Sequence, residues 1–384
     1  MKNNRTFLEK LLDGAEVEWK TLDEIFHLRN GYTPSKGVKE YWENGSIPWF
    51  RMEDIRENGR VLNTALQKVS ESAVKGGKLF PANSIIIATS ATIGEHALIT
   101  IPFLANQRFT VLSLKPEYID KFNIYFLYHY CFTLDDWCQK NTTMSSFASV
   151  DMNGFRKFLI PIPPLPVQTE IVKILDALTA LTSELTSELT LRRKQYEYYR
   201  EKLLSFDSLE QLNMGGAKKK LIDVCINIFS GKNKERNDSG LYPIYGSTGI
   251  IGKTNKKEFS NEQILVARVG ANAGYVHIAQ GEYDVSDNTL IIQHNKNIDL
   301  KFLYHTLVNM KLNQYAKGAG QPLITAGQLK LMEINVPPLE EQQRIVSILD
   351  KFETLTNSIT EGLPLAIEQS QKRYEYYREL LLSF

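Results

Sequence analysis

The sequence predicts an α+β protein built as a pseudo-two-fold circular repeat, in which two similar mixed domains are separated by two long antiparallel coiled-coil helices. Three observations predict it. The stretch from Pro163, PPLPVQTEIVKILD, returns as PPLEEQQRIVSILD from Pro337, and QYEYYREKLLSF returns as RYEYYRELLLSF at the C-terminus. Both repeated stretches carry apolar residues at alternating steps of three and four. Between them lie segments of short β-branched and aromatic runs bounded by Gly, Asn, Pro and Ser turns.

The duplication sets the architecture first. Pro163 pairs with Pro337 and Asp176 with Asp350 at a shift of 174, whereas Tyr196 pairs with Tyr374 and Phe206 with Phe384 at 178, so the second copy carries four extra residues. Glu9-Lys10-Leu11-Leu12 repeats Glu201-Lys202-Leu203-Leu204. A unit therefore begins at one end of the chain and finishes at the other. The expected divisions are a first domain over 1–165 that includes this N-terminal fragment, a repeated helix over 166–206, a second domain over 207–339 and a C-terminal repeated helix over 340–384.

In the first domain, Ser84–Ala88 and Phe109–Leu114 read as strands, and in the second Ile264–Ala267 and Thr289–Ile292 do so. Each domain holds one helix of similar wording, around Tyr125–His129 and Lys301–His305. The first repeated helix runs its seam through Ile171, Ile174, Leu178, Leu181, Leu185, Leu189, position 192, Tyr196, Tyr199, Leu203 and Phe206 with one stutter. The second runs through Ile345, Ile348, Phe352, Leu355, Ile359, Leu363, Ile367, position 370, Tyr374, Tyr377, Leu381 and Phe384 with two. Leu175 and Leu349 lie on the same apolar faces. Arg192 and Ser370 are expected to weaken the seam, and Gly362 with Pro364 to kink or interrupt the second helix. A generic coiled-coil linker shows the same periodicity.

Composition excludes several classes. At 384 residues, with 43% hydrophobic and 23% charged, the chain is ordinary for a folded, multidomain protein. It has no apolar run of membrane-spanning length, and Met1–Asn4 lacks the order of a signal peptide, so a cytoplasmic protein is expected. Cys131, Cys138 and Cys225 form no CxxC, and they read as buried thiols rather than as a metal site with His129. A net charge of +1 argues against a bulk polyanion binder and leaves local basic faces such as Lys218–Lys220 and Lys232, Lys234 and Arg236.

Catalytic signatures are missing. Ser247–Thr254 approaches GxxxxGK[ST], but position 247 is Ser and no apolar helix follows to hold a phosphate. The diproline steps follow Ile162 and Val336, which differ from the Asp/Asn-Pro-Pro-aromatic motif of amino-methyltransferases. No catalytic residue and no metal ligand is expected. The domains do offer polar loops. The candidate DNA contacts are Thr33, Ser35, Lys36, Thr89, Ser90, Asn106, Arg108 and Ser145 in the first domain, and Lys232, Ser247, Arg268, Asn272, Asn288 and Gln321 in the second. Asn, Gln and Arg can bond base edges in pairs, whereas Ser, Thr and Lys fix phosphates. The same residue types also crowd ordinary turns.

Taken together, the PPL…Q…IV..LD stretches (Pro163, Gln168, Ile171, Val172, Leu175, Asp176; Pro337, Gln342, Ile345, Val346, Leu349, Asp350), both YEYYR ends, and the openings at Gly31…Thr33-Pro34-Ser35 and Tyr242–Gly246 resemble the specificity subunits of type I restriction-modification enzymes over essentially the whole chain. The resemblance implies that each domain is a target-recognition domain reading one half of a bipartite duplex-DNA site. It implies that the helices act as a ruler and dock two methylation subunits, with Ile171, Leu175, Leu178, Leu185, Tyr196, Tyr199, Ile345, Leu349, Leu355, Tyr374 and Tyr377 as the helix-seam and docking residues. Two restriction subunits complete the assembly. S-adenosylmethionine, ATP and Mg2+ are expected on those partners and not on this chain. The tetrads Thr182–Leu185 and Thr186–Leu189 match a repeat that tunes half-site spacing in this family, and the second copy departs from it at Thr360–Pro364. The competing reading is a two-domain scaffold that gathers protein partners without reading DNA.

Overall fold

A computed structural model describes residues 6–143, 148–205, 217–234, 239–318 and 320–384. The expectations on Ser145, Phe206 and Arg236 lie outside the described residues. The chain forms two units, Met1–Ser183 with Gln369–Phe384, and Glu184–Glu368. Each draws helix from both repeats, which is the circular repetition expected.

In the first unit, Ser84–Ala88 is buried throughout, which explains its unbroken apolar wording. It sits at the centre of a five-stranded sheet ordered Phe26–Asn30, Phe109–Leu114, Ser84–Ala88, His96–Ile99, Val61–Leu62, antiparallel except for the last pair. A three-stranded sheet pairs Ile47–Phe50 with Lys68–Val69 on one side and Leu104–Ala105 on the other. The helix Ile124–Lys140 covers the first sheet, and the strand Glu18–Thr21 pairs with Leu159–Ile162 at the chain's way out into the repeat.

The second unit repeats the plan. Its four-stranded sheet is ordered Cys225–Ser230, Thr289–His294, Gln263–Ala267, Val276–Ala279, and a three-stranded sheet joins Gly249–Thr254, Tyr242–Gly246 and Asp284–Val285. Leu300–Asn309 is its covering helix, and Ala217–Lys220 pairs with Glu333–Val336. All four expected strands are present. The three cysteines are buried and unpaired, and burial pushes the Cys138 and Cys225 thiols up to about 12.

The first repeat is one helix, Leu165–Leu204, roughly 60 Å long at 1.5 Å per residue, with Pro166 in its first turn where a missing N–H is harmless. The second is two helices, Leu339–Asn357 and Leu363–Leu381, so Gly362 and Pro364 interrupt it. Gly362 stands at φ +83°, and a Cβ there would lie 2.6 Å from the Thr354 carbonyl oxygen. Heptad counting had carried the seam across this break through Ile359, which is instead 79% exposed. Where the helix stops, spacing no longer determines facing.

Within each unit the helical parts run antiparallel. In the first, Thr182 Oγ1 meets Ser370 Oγ at 2.9 Å, while His129 bridges Asp176 (2.9 Å) and the Tyr374 hydroxyl (3.4 Å). In the second, Arg193 reaches the Thr356 carbonyl at 3.4 Å, and Tyr196 and Tyr199 stack on Phe352. Ser370 was expected to weaken the seam, yet it is 4% exposed and its hydroxyl is bonded. Arg192 is held by Glu188 (2.7 Å) and Gln195 (2.8 Å). Both polar interruptions are bonded, and for the buried Ser370 this removes the cost of burial. Ile171, Leu175, Ile345 and Leu349 are fully buried, Leu178, Leu185, Leu355, Tyr374 and Tyr377 are half-buried, and Tyr199 is exposed on its outer face.

Candidate nucleic-acid interface

The two units anchor their domains to their helices by the same bonds. In the first unit the buried Gln168 donates to the Pro163 (2.8 Å) and Lys121 (2.9 Å) carbonyls and accepts from the Asn123 N–H (2.8 Å). In the second, Gln342 donates to the Pro337 carbonyl (2.8 Å) and accepts from the Asp299 N–H (2.7 Å). His129 to Asp176 is matched by His305 to Asp350 at 3.0 Å. Burial pushes the Asp350 carboxyl up, but hydrogen bonds from Lys301 and His305 outweigh this and hold it below its ordinary value.

The candidate polar loops are set by two glycines. A Cβ at Gly31 would lie 2.3 Å from the Asn106 carbonyl oxygen, and one at Gly231 2.4 Å from that of Ser286. Only glycine lets these backbones approach so closely. In the first unit, this contact places Tyr32–Lys36 beside Asn106–Arg108 around a cleft of about 680 Å³, lined by Thr33, Lys36, Lys39, Trp42, Trp49 and Arg51, with Asn106, Gln107 and Arg108 along its far side. Thr33 hydrogen bonds to Gln107, the Asn106 carboxamide oxygen accepts from the Arg108 N–H (2.9 Å), and Ser35 offers its carbonyl to the Trp42 indole (3.0 Å). Of the candidates, Thr33, Lys36, Asn106 and Arg108 are thus brought together, with Ser35 held beside them. Thr89 lies one step away, its N–H bonded to the Arg108 carbonyl (3.0 Å) and its hydroxyl to Thr110. Ser90 pairs with Ser149.

In the second unit, a cleft of about 580 Å³ is lined by Phe229, Ser230, Lys232, Lys234, Lys256 and Phe259. Arg268 stands where the first unit has Thr89, its N–H bonded to the Asn288 carbonyl (2.9 Å) and its guanidinium 3.5 Å from the Ser230 hydroxyl. The loop carrying Gln321 closes against it, since the Ile324 N–H bonds the Arg268 carbonyl (2.9 Å). Lys232, Arg268, Asn288 and the Gln321 loop therefore share one region. Asn272 does not join them, because it lines a separate groove with Tyr304, Lys311 and Asn313. Ser247 lies in the hairpin turn between Tyr242–Gly246 and Gly249–Thr254. The P-loop-like wording is therefore a β-hairpin, which presents no helix N-terminus to a phosphate.

Sequence reasoning passed over Arg51, Lys39 and the two tryptophans. The signal was available in Tyr41-Trp42 and Trp49-Phe50-Arg51, aromatic residues beside a cation. Among the described residues, one group could hold an ion, His305 with Asp350 and Glu353, but the Lys301 ammonium already bonds Asp350. His129 bonds Asp176 rather than joining Cys131. No helix among the described residues is long and apolar enough to cross a membrane.

The family model described as the type I restriction modification DNA specificity domain matches residues 15–192 and 216–369. The chain belongs to the type I restriction-modification specificity-subunit family. It is 51% identical over 376 residues to the type I restriction enzyme EcoprrI specificity subunit of Escherichia coli, covering 93% of this chain and 92% of the relative. It is 41% identical to a putative type I restriction enzyme specificity subunit of Haemophilus influenzae, covering 100% of both. Two solved structures share the fold. One, from work on complex assembly and conformational transition of the type I system, matches at TM-score 0.63 and 17% identity over 96% of this chain and 98% of that one. The other, the S subunit of M. genitalium, matches at TM-score 0.53 and 16% identity over 100% and 96%. The family's α+β class and its internal repeat are the ones expected from the sequence.

Proposed function

We propose that this chain is a non-catalytic, sequence-reading subunit that recognises a bipartite duplex-DNA target, one half-site per unit, and docks two methylation subunits. Two restriction subunits join in the larger assembly, and S-adenosylmethionine, ATP and Mg2+ are held by those partners. The observation that carries this reading is the pairing of matching anchoring bonds at Gln168 and Gln342, each to a proline carbonyl and a backbone N–H, with unlike loop residues at equivalent places, Thr89 against Arg268 and Arg108 against Asn288. A fixed scaffold holding variable polar loops suits two readers of different sequences. The chain is near neutral overall, yet lysines stand at both clefts, Lys36 and Lys39 in one and Lys232, Lys234 and Lys256 in the other, where they would meet phosphates.

Docking of two identical partners calls for a surface presented twice. Tyr198 and Tyr376 occupy equivalent repeat positions and are 57% and 61% exposed, each edge-on to its neighbour at 5.4 Å. Exposed tyrosines are favoured anchors of protein interfaces. The test is to map methylated sites made by the chain with its methylation partner, then replace Ala217–Asn335 with the matching segment of a relative. One half-site should change and the other stay. A change in both halves, methylation by the isolated chain, or assembly of partners without any DNA preference would overturn the reading.

A further inference from the structure

We infer that Arg51 reads a guanine in the half-site of the first unit, its guanidinium acting as a fork to the guanine O6 and N7; this rests on the DNA-reading function proposed above. The Trp49 ring is 3% exposed and is fixed by its indole N–H bond to the Tyr32 carbonyl at 3.0 Å. The Arg51 guanidinium lies 5.6 Å above that ring, and the Arg51 backbone N–H is tied to the Asp54 carboxylate at 2.7 Å. The side chain is thus held at both ends over an immobile aromatic face. Its Nε is buried without a hydrogen-bond partner and stands 3.9 Å from the Glu53 carboxylate. The side chain is nonetheless 29% exposed at the cleft, so the terminal N–H groups of the guanidinium are open to an acceptor that enters it.

The surroundings favour a base edge over a phosphate. Glu53, 3.9 Å from the Arg51 Nε, would repel an anion at Arg51 itself while the cleft's lysines meet phosphates elsewhere, whereas guanine offers two neutral acceptors in the plane of a guanidinium. A carboxylate beside that fork can accept from the amino group of a cytosine. The second unit lacks the group. The Asn106 N–H bonds the Phe50 carbonyl at 3.0 Å as the Ser286 N–H bonds that of Tyr245 at 2.9 Å, so the residue equivalent to Arg51 is Gly246.

The experiment uses the chain assembled with its methylation partner and its mapped target, with 7-deazaguanine placed in turn at each guanine of the first half-site. The wild-type complex should lose about tenfold or more in binding at one position, and Arg51→Ala should be indifferent to the replacement there. Arg51→Lys, which keeps the charge but not the fork, should relax the guanine preference at that position while leaving the salt dependence near wild type. Sensitivity at no guanine of the first half-site, or full retention of the preference in Arg51→Ala or Arg51→Lys, would overturn the assignment. A wild-type complex with no bipartite target at all would instead overturn the DNA-reading function.

Discussion

The two units solve one packing problem alike and one chemical problem differently. Where each domain joins its helix, a buried glutamine bonds the carbonyl of the first proline of the PPL step and a backbone N–H, and a histidine bonds the aspartate eight residues on. Those positions must satisfy fully buried polar groups, so few residues serve. At the clefts the first unit presents two tryptophans with Arg51, and the second presents Phe229 and Phe259 with three lysines. The cleft side chains that reach solvent, the lysines and Arg51 among them, are less constrained by packing and can diverge. The lesson is that identity between the units marks scaffold, and difference marks the clefts where the proposed reading would occur.

The largest effect should come from the helix that joins these two regimes. Deleting Thr186–Leu189 removes about 6 Å of helix and a net turn of about 40°, which keeps the apolar seam in register. The methylated target should keep both half-sites and change its non-read spacer by one or two base pairs. Unchanged spacing, or altered half-sites, would break the separation of scaffold from reader.

The equivalence of the anchors can be tested next. Gln168→Ala and Gln342→Ala each strand a buried carbonyl and an N–H group, so each should cost about 1–3 kcal/mol in denaturant unfolding, with Gln168→Ala the larger because it also strands the Lys121 carbonyl. A larger loss from Gln342→Ala would show that the matching bonds are not matching in energy.

A third prediction sharpens the contrast from the second unit alone. Burial pushes the His277 imidazole from 6.5 down to about 4. The folded chain resists a proton that the unfolded chain accepts, so this contribution is full above pH 6.5, falls as the pH drops and levels off near pH 4, on the order of 2–3 kcal/mol in all. Melting curves of His277→Gln should be flatter than wild type across that window. Parallel curves would show that His277 does not set the acid sensitivity.

The smallest effects belong to the phosphate anchors. Lys36→Ala and Lys232→Ala should weaken binding to all DNA sequences alike and lower the salt slope by about one each, with no change in the target. A change in base preference would move either lysine from anchor to reader.

Much of the fold was written locally. Ser84–Ala88 and Phe109–Leu114 form strands with the expected limits, because an apolar β-branched run bounded by turns has few other ways to bury itself. The duplication fixed the circular repeat, since a repeated apolar stripe has to find an equivalent partner. Gly362 and Pro364 marked the helix interruption because both act on the backbone itself. The clefts were only partly legible. Thr33, Lys36, Asn106 and Arg108 converge as their loop residues suggested, with the Asn106 carboxamide oxygen spent on its own local turn, but nothing local could show that Asn272 faces another groove. Ser370 and Arg51 make the same point. By spacing, the first is a flaw in a seam and the second a residue after a strand. Only the tertiary structure sets Thr182 against one and Trp49 beneath the other, because those neighbours are distant in sequence or fixed by bonds from other loops.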